Sequence, residues 1–145
     1  MSDRNGSKAE YFKNYAQQHG VSFISFDYLG HGDSDLDFTE CNIDIWLENS
    51  IEIINSLTKG EITLIGSSLG GWLALLIAKI MPEKLAKLIL IAPAPDFTED
   101  LMWDIFEDDA KAILERGEVY NLPSDYCDGC YPCLLYTSPS PRDAT

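Results

Sequence analysis

The sequence predicts an α/β fold: a mostly parallel sheet of about three strands flanked by helices. Three observations predict it. Apolar segments alternate between helical and strand-like periodicity in the order α-β-α-β-α-β, which implies parallel strands joined by right-handed helical crossovers. Two of the strand candidates, Ile62–Ile65 and Leu88–Ala92, are short runs that are apolar apart from Thr63, as expected of strands covered on both faces. The stretch Glu61–Ile80, EITLIGSSLGGWLALLIAKI, passes from strand to helix through Gly66-Ser67-Ser68-Leu69-Gly70-Gly71, and a sheet of this class places its site at such strand ends.

Taken in order, Ser7-Lys8-Ala9-Glu10 has the form of a capping box, and Ala9, Phe12 and Ala16 follow at helical spacing until Gly20. A first helix is expected there, stopped by the glycine. Val21–Asp27 (VSFISFD) reads as a buried strand, followed by a turn-rich loop from Tyr28 to Asp35 that contains Gly30, His31 and Gly32. From Thr39, the residues Ile43, Trp46, Leu47, Ile51, Ile54 and Leu57 recur every three or four positions up to Lys59-Gly60. This is the second helix, and Cys41 on it reads as a small buried hydrophobe.

The strand Ile62–Ile65 and the apolar helix Trp72–Ile80 follow, and Pro82 ends or redirects that helix before the strand Leu88–Ala92. Beyond Pro93-Ala94-Pro95, the segment Asp96–Arg116 carries Phe97, Leu101, Ile105, Phe106, Ala110, Ile113 and Leu114 on one stripe. One or two amphipathic helices are expected there, as the start of a cap over a site or as ordinary surface helices.

The chain has 145 residues, is 46% hydrophobic and carries a formal net charge of −14. That length supports one core, and no apolar stretch is long enough to span a bilayer. Residues 96–128 are strongly acidic, with Lys111 and Arg116 their only basic residues. This balance argues against a nucleic-acid partner and reads as a solvated face. The N-terminus has no signal-peptide pattern, so the cytoplasm is the expected compartment.

Ser68 is the serine with glycine two residues to either side, at Gly66 and Gly70, between a strand and a buried helix. That context predicts a nucleophile elbow: a sharp turn that forces the serine to positive φ and projects its hydroxyl above the sheet edge, with Gly66 and Gly70 letting strand and helix pass closely. A phosphate-binding loop counted from Gly66 and Gly71 would need Lys and then Ser or Thr, where the chain has Trp72 and Leu73. Cys127-x-x-Cys130-x-x-Cys133 has the spacing of a metal or cluster site but lacks a fourth ligand nearby, so neither metal nor cofactor is expected.

The loop Asp27-Tyr28-x-Gly30-His31-Gly32-x-Ser34 and the elbow Gly66–Trp72 together resemble the α/β-hydrolase superfamily. Asp3, Gly6, Lys8-Ala9, Pro123-Ser124-x-Tyr126 and Tyr131-Pro132 look like its palmitoyl-protein thioesterase and acyl-glucuronide esterase branch. The resemblance covers about residues 2–132 and implies a partial α/β-hydrolase fold. It further implies a serine esterase or thioesterase acting on a small acyl ester or an S-acylated substrate through an acyl-enzyme. Ser68 would be the nucleophile and the Leu69 backbone N–H one oxyanion donor. It also admits a mitochondrial location.

On the same footing, residues 1–95 form a partial core and residues 96–132 begin a cap. Residues 133–145, CLLYTSPSPRDAT, resemble a translated transposase sequencing adapter and are set apart as a non-native tail. In the family the second oxyanion amide lies just ahead of Met1, the catalytic His and acid lie beyond the cap, and a further strand stands between Val21–Asp27 and Ile62–Ile65. The expectation is therefore an inactive fragment with neither catalytic His nor acid of its own. Ile62–Ile65 and Leu88–Ala92 should pair in parallel, and Val21–Asp27 should stand apart or collapse on its neighbour.

His19 reads as a helix C-terminal or surface residue, and His31 as part of a structural turn. Asp96 holds a position where some hydrolases keep their acid. The alternative reading is a non-catalytic binding module of the same fold.

Overall fold

The structure, a computed structural model, describes residues 6–96, 102–124 and 129–133. The chain divides into two compact units after Cys41.

The first unit begins with helix α1 (Ser7–Gln18). Its N-cap is Gly6, with no side-chain capping bond, so the expected Ser7–Glu10 capping box does not form: Ser7 is already inside the helix. The C-terminus matches expectation. Gly20 has φ +65, the Gly20 N–H donates to Gln17 O at 3.4 Å and the Val21 N–H to Ala16 O at 2.9 Å. This paired pattern requires a left-handed residue after the helix, which glycine supplies without a Cβ clash.

Val21–Asp27 is not a strand: it lacks ladder pairing, and Val21 and Ile24 are 60% and 44% exposed. An apolar run becomes a strand only when a neighbour accepts its backbone hydrogen bonds.

The loop that follows is tightly tied. Gly30 N–H donates to Asp35 O, His31 N–H to Tyr28 O and Ser34 N–H to His31 O, at 2.9, 2.9 and 3.0 Å. A Cβ on Gly30, which has φ +75, would lie 2.8 Å from Phe38 Cα. A 3₁₀ turn at Phe38–Glu40 carries a capping box in which Thr39 N–H donates to Asp37 Oδ1 and Asp37 N–H to Glu40 Oε2. Cys41 is buried as expected but lies between this turn and the next helix, not on a helix.

The second unit opens with α2 (Ile43–Leu57), capped by Asn42, whose Oδ1 accepts from Ile45 N–H at 3.0 Å. The helix starts at Ile43 rather than Thr39 because this cap ends the preceding turn. Its buried residues Ile43, Trp46, Ser50 and Ile54 follow helical spacing, and the buried Ser50 hydroxyl donates to Trp46 O.

Strand β1 (Ile62–Ser67) leads into α3 (Leu69–Ile80), and β2 (Leu85–Ile91) returns parallel to β1, from Ile62 opposite Leu85 to Ser67 opposite Ile91. Thus β2 starts three residues before the expected Leu88 and excludes Ala92. Ala86 and Lys87 are both exposed, so no apolar pattern marks them: Lys87 pairs with Thr63, and Ala86 is the extra residue at a register shift between the Ile62–Leu85 and Thr63–Lys87 pairs. Pro82 redirects the chain in a 3₁₀ turn at Pro82–Lys84. Helix α3 packs on both strands and on α2, burying Trp72, Leu73, Ala74 and Ile77; each large apolar side chain so buried contributes about 1.5–3 kcal/mol.

The helical segment begins with a 3₁₀ turn at Trp103–Ile105 and continues as α4 (Asp108–Glu115). Phe106, Ala110 and Leu114 form its buried stripe, with Met102, Trp103, Tyr120 and Leu122 packed against them. Ile105, expected on that stripe, is 69% exposed, because the 3₁₀ turn breaks the helical phase. Phe97 and Leu101 lie outside the described residues.

An antiparallel pair, β3 (Tyr120–Ser124) and β4 (Gly129–Cys133), closes the described chain. Pro123 and Pro132 argue against strands in sequence, yet a two-stranded ribbon has free edges that tolerate proline. Cys133, placed in the tail on sequence, pairs here with Tyr120.

Candidate active site

The site is built where β1 becomes α3. Ser68 has φ 54 and ψ −122, a conformation that costs a non-glycine residue on the order of 1–3 kcal/mol and persists only where its surroundings over-determine it. Serine at a helix N-cap ordinarily turns its hydroxyl back onto the helix N–H groups. Ser68 is the N-cap of α3, yet its side chain makes no capping bond and the residue is exposed. Ser68 is thus an exposed residue at the C-terminal end of β1, its hydroxyl not tied back to the helix it caps.

Close approach of strand and helix creates this turn. A Cβ on Gly66 would lie 2.7 Å from the Gly70 carbonyl carbon and 2.8 Å from Gly71 Cα. Only glycine fits. Gly71, not singled out in sequence for packing, is equally constrained, because a Cβ there would stand 2.8 Å from both Cα and Cβ of Pro93. The second glycine after the serine, three positions on, was the available signal.

Backbone bonds hold Ser68 from the neighbouring strand. Its N–H donates to Ile91 O at 3.1 Å, and its carbonyl accepts from Ala94 N–H at 3.2 Å and from Gly71 N–H at 2.8 Å. Leu69 is the first residue of α3, so its N–H is among the helix-terminal donors without an intrahelical acceptor, at the positive end of the helix dipole.

Of the other candidates, Asp96 follows β2 in a turn with φ 50 and is partly buried. His19, exposed, stacks on Tyr15 at 4.0 Å with its Nδ1 2.8 Å from Tyr15 O. His31 is buried edge-on to Tyr28 and Phe38, with Nδ1 3.4 Å from Leu29 O. Burial lowers its pKa from the ordinary value, opposed by the Leu29 carbonyl, and burial raises the Tyr28 phenol to about 12. A cavity of about 550 Å³ lies in the first unit, lined by residues including Glu10, Lys13, Ala16 and Phe23; none of Gly66, Ser68, Leu69 or Gly70 lines it.

Among the described residues no group of three His, Cys, Asp or Glu is placed to hold a metal ion. Cys127 lies outside them. No described helix is long and apolar enough to cross a membrane.

Comparison with known proteins adds scale. A family model described as the alpha/beta hydrolase fold matches residues 5–138. The rat mitochondrial palmitoyl-protein thioesterase ABHD10 is 36% identical over 137 residues, covering 94% of this chain and 46% of that protein. The solved mouse alpha/beta hydrolase domain-containing protein 10 superposes with TM-score 0.76 at 34% identity, covering 90% of this chain and 53% of that one. A solved protein of Agrobacterium vitis S4 gives TM-score 0.85 at 33% identity, over 93% of this chain and 54% of that one. The chain thus spans about half the length of the relatives it matches.

Proposed function

Because this chain belongs to the alpha/beta hydrolase fold family, we propose that Ser68 is the nucleophile of an acyl hydrolase that cleaves esters or S-acyl thioesters through an acyl-enzyme. The observation that carries this reading is the exposed Ser68 at φ 54, free of a capping bond, between β1 and α3. In such a site a general base takes the Ser68 proton as Oγ bonds to the acyl carbonyl carbon. The alcohol or thiol then leaves with a proton, and water releases the acid and restores the serine. The Leu69 N–H is one donor to the transient oxyanion, with Gly66 and Gly70 shaping the turn.

The relatives named palmitoyl-protein thioesterases favour an S-acylated substrate over an oxygen ester. Their mitochondrial naming favours that compartment over the cytoplasm for the protein containing this stretch. Residues 1–95 act as the core and residues 96–132 as the start of a cap.

The base is the group this stretch lacks. His19 and His31 are its two histidines. His19 is stacked on Tyr15, and His31 is buried among its own loop's rings. The 145-residue stretch alone is therefore expected to be inactive. The test is fluorophosphonate labelling of protein from the complete reading frame, beside Ser68→Ala. Labelling that disappears in the variant supports the enzyme; no labelling of the unaltered protein favours a non-catalytic binding module of the same fold.

A further inference from the structure

We propose that the Ala92–Ala94 turn is the positioning element that holds Ser68 in its left-handed conformation, and with it the hydroxyl of the nucleophile read above. A serine does not adopt φ 54 and ψ −122 by local preference. The bonds from Gly71 and Trp72 N–H to Ser68 O come with any helix start and leave the preceding peptide free to turn. Two others are specific. Ser68 N–H donates to Ile91 O, and Ala94 N–H donates back to Ser68 O, so both sides of the Ser68 backbone are tied to the exit of β2.

That exit is itself bent to make these bonds. Of the four non-glycine residues with positive φ among the described residues, Ser68 and Ala92 (φ 43) immediately follow β1 and β2, and Asp96 (φ 50) comes five residues after β2. Strain gathered at two adjacent strand ends, and bridged by hydrogen bonds, marks a position its surroundings over-determine. Pro93 completes the clamp by filling the space a Cβ on Gly71 would take, so the first turn of α3 is wedged between Pro93 on one side and Gly66 on the other. Pro93, Ala92 and Ala94 act through Ser68 and are positioning residues.

The test uses protein from the complete reading frame and two readouts: amide hydrogen exchange at Ser68 and Ala94, and the rate of Ser68 labelling by a fluorophosphonate. Pro93→Gly removes the Cβ against Gly71 and loosens the turn. It is expected to speed exchange at both amides on the order of tenfold and to slow labelling on the order of 10- to 100-fold. Pro93→Ala keeps the Cβ and should stay near the unaltered protein in both.

Gly71→Ala, which crowds the same contact from the helix side, is a second, independent variant with the same pair of effects expected as in Pro93→Gly. Thermal unfolding midpoints separate these effects from general loss of fold. Unchanged exchange in Pro93→Gly, or faster exchange with unchanged labelling, overturns the proposal. If the unaltered protein does not label, the nucleophile reading falls and the clamp is decided on exchange alone: faster exchange at both amides in Pro93→Gly sustains it, and unchanged exchange overturns it.

Discussion

Gly66 in β1 faces the carbonyl of Gly70 in the first turn of α3 so closely that a Cβ on Gly66 would stand 2.7 Å from the Gly70 carbonyl carbon. Backbone on both sides of the contact cannot move as a flexible side chain would. Gly66→Ala should therefore lower stability by on the order of 1–3 kcal/mol, the usual cost of overpacking, and Gly66→Val by more. Chemical denaturation measures this, and an unchanged midpoint for Gly66→Val would contradict the crowded junction.

The 145-residue chain should hydrolyse p-nitrophenyl butyrate no faster than its Ser68→Ala variant. Loss of triad members in a comparable serine hydrolase costs about 10⁴–10⁶ in rate, which puts turnover near background. Clear Ser68-dependent turnover by the chain would show that His31 or another group serves as base.

Acid should weaken the first unit through His31. Burial lowers its folded pKa below the ordinary 6.5, so the neutral ring is favoured. Stability from that neutral ring is fully present above about 6.5 and is lost as pH falls from there through the folded value. The urea midpoint should thus drop between pH 7 and pH 5, and less in His31→Gln; an equal drop in both proteins would remove His31 from the explanation.

Asn42→Ala should cost about 0.5–2 kcal/mol, because Asn42 Oδ1 accepts the Ile45 N–H at the start of α2 and nothing else in alanine replaces that acceptor. Asn42→Asp keeps the acceptor and should stay within a few tenths of a kcal/mol of the unaltered protein. Equal losses in the two variants would point away from the cap and toward packing.

Residue spacing placed the bodies of α1, α2 and α3, the apolar stretches of β1 and β2 and the turn at Ser68, though not where α2 and β2 begin. Burial of α2 at Ile43, Trp46 and Ile54 is a matter of neighbours three and four positions apart, and the crowding at Gly66 arises only four and five residues away. Such relations are local, so sequence periodicity carries them. Tertiary structure decided what depends on distant partners. Val21–Asp27 is as apolar as the observed strands, yet lacks a paired neighbour and is no strand. The β3–β4 ribbon forms despite Pro123 and Pro132, because free edges excuse the missing donors. The bonds from Ser68 to Ile91 and from Ala94 to Ser68, with Pro93 against Gly71, join segments that meet only after β2 docks beside β1. Backbone hydrogen bonding is the same for every residue type except proline, so the identity of a distant partner leaves no mark in the local pattern.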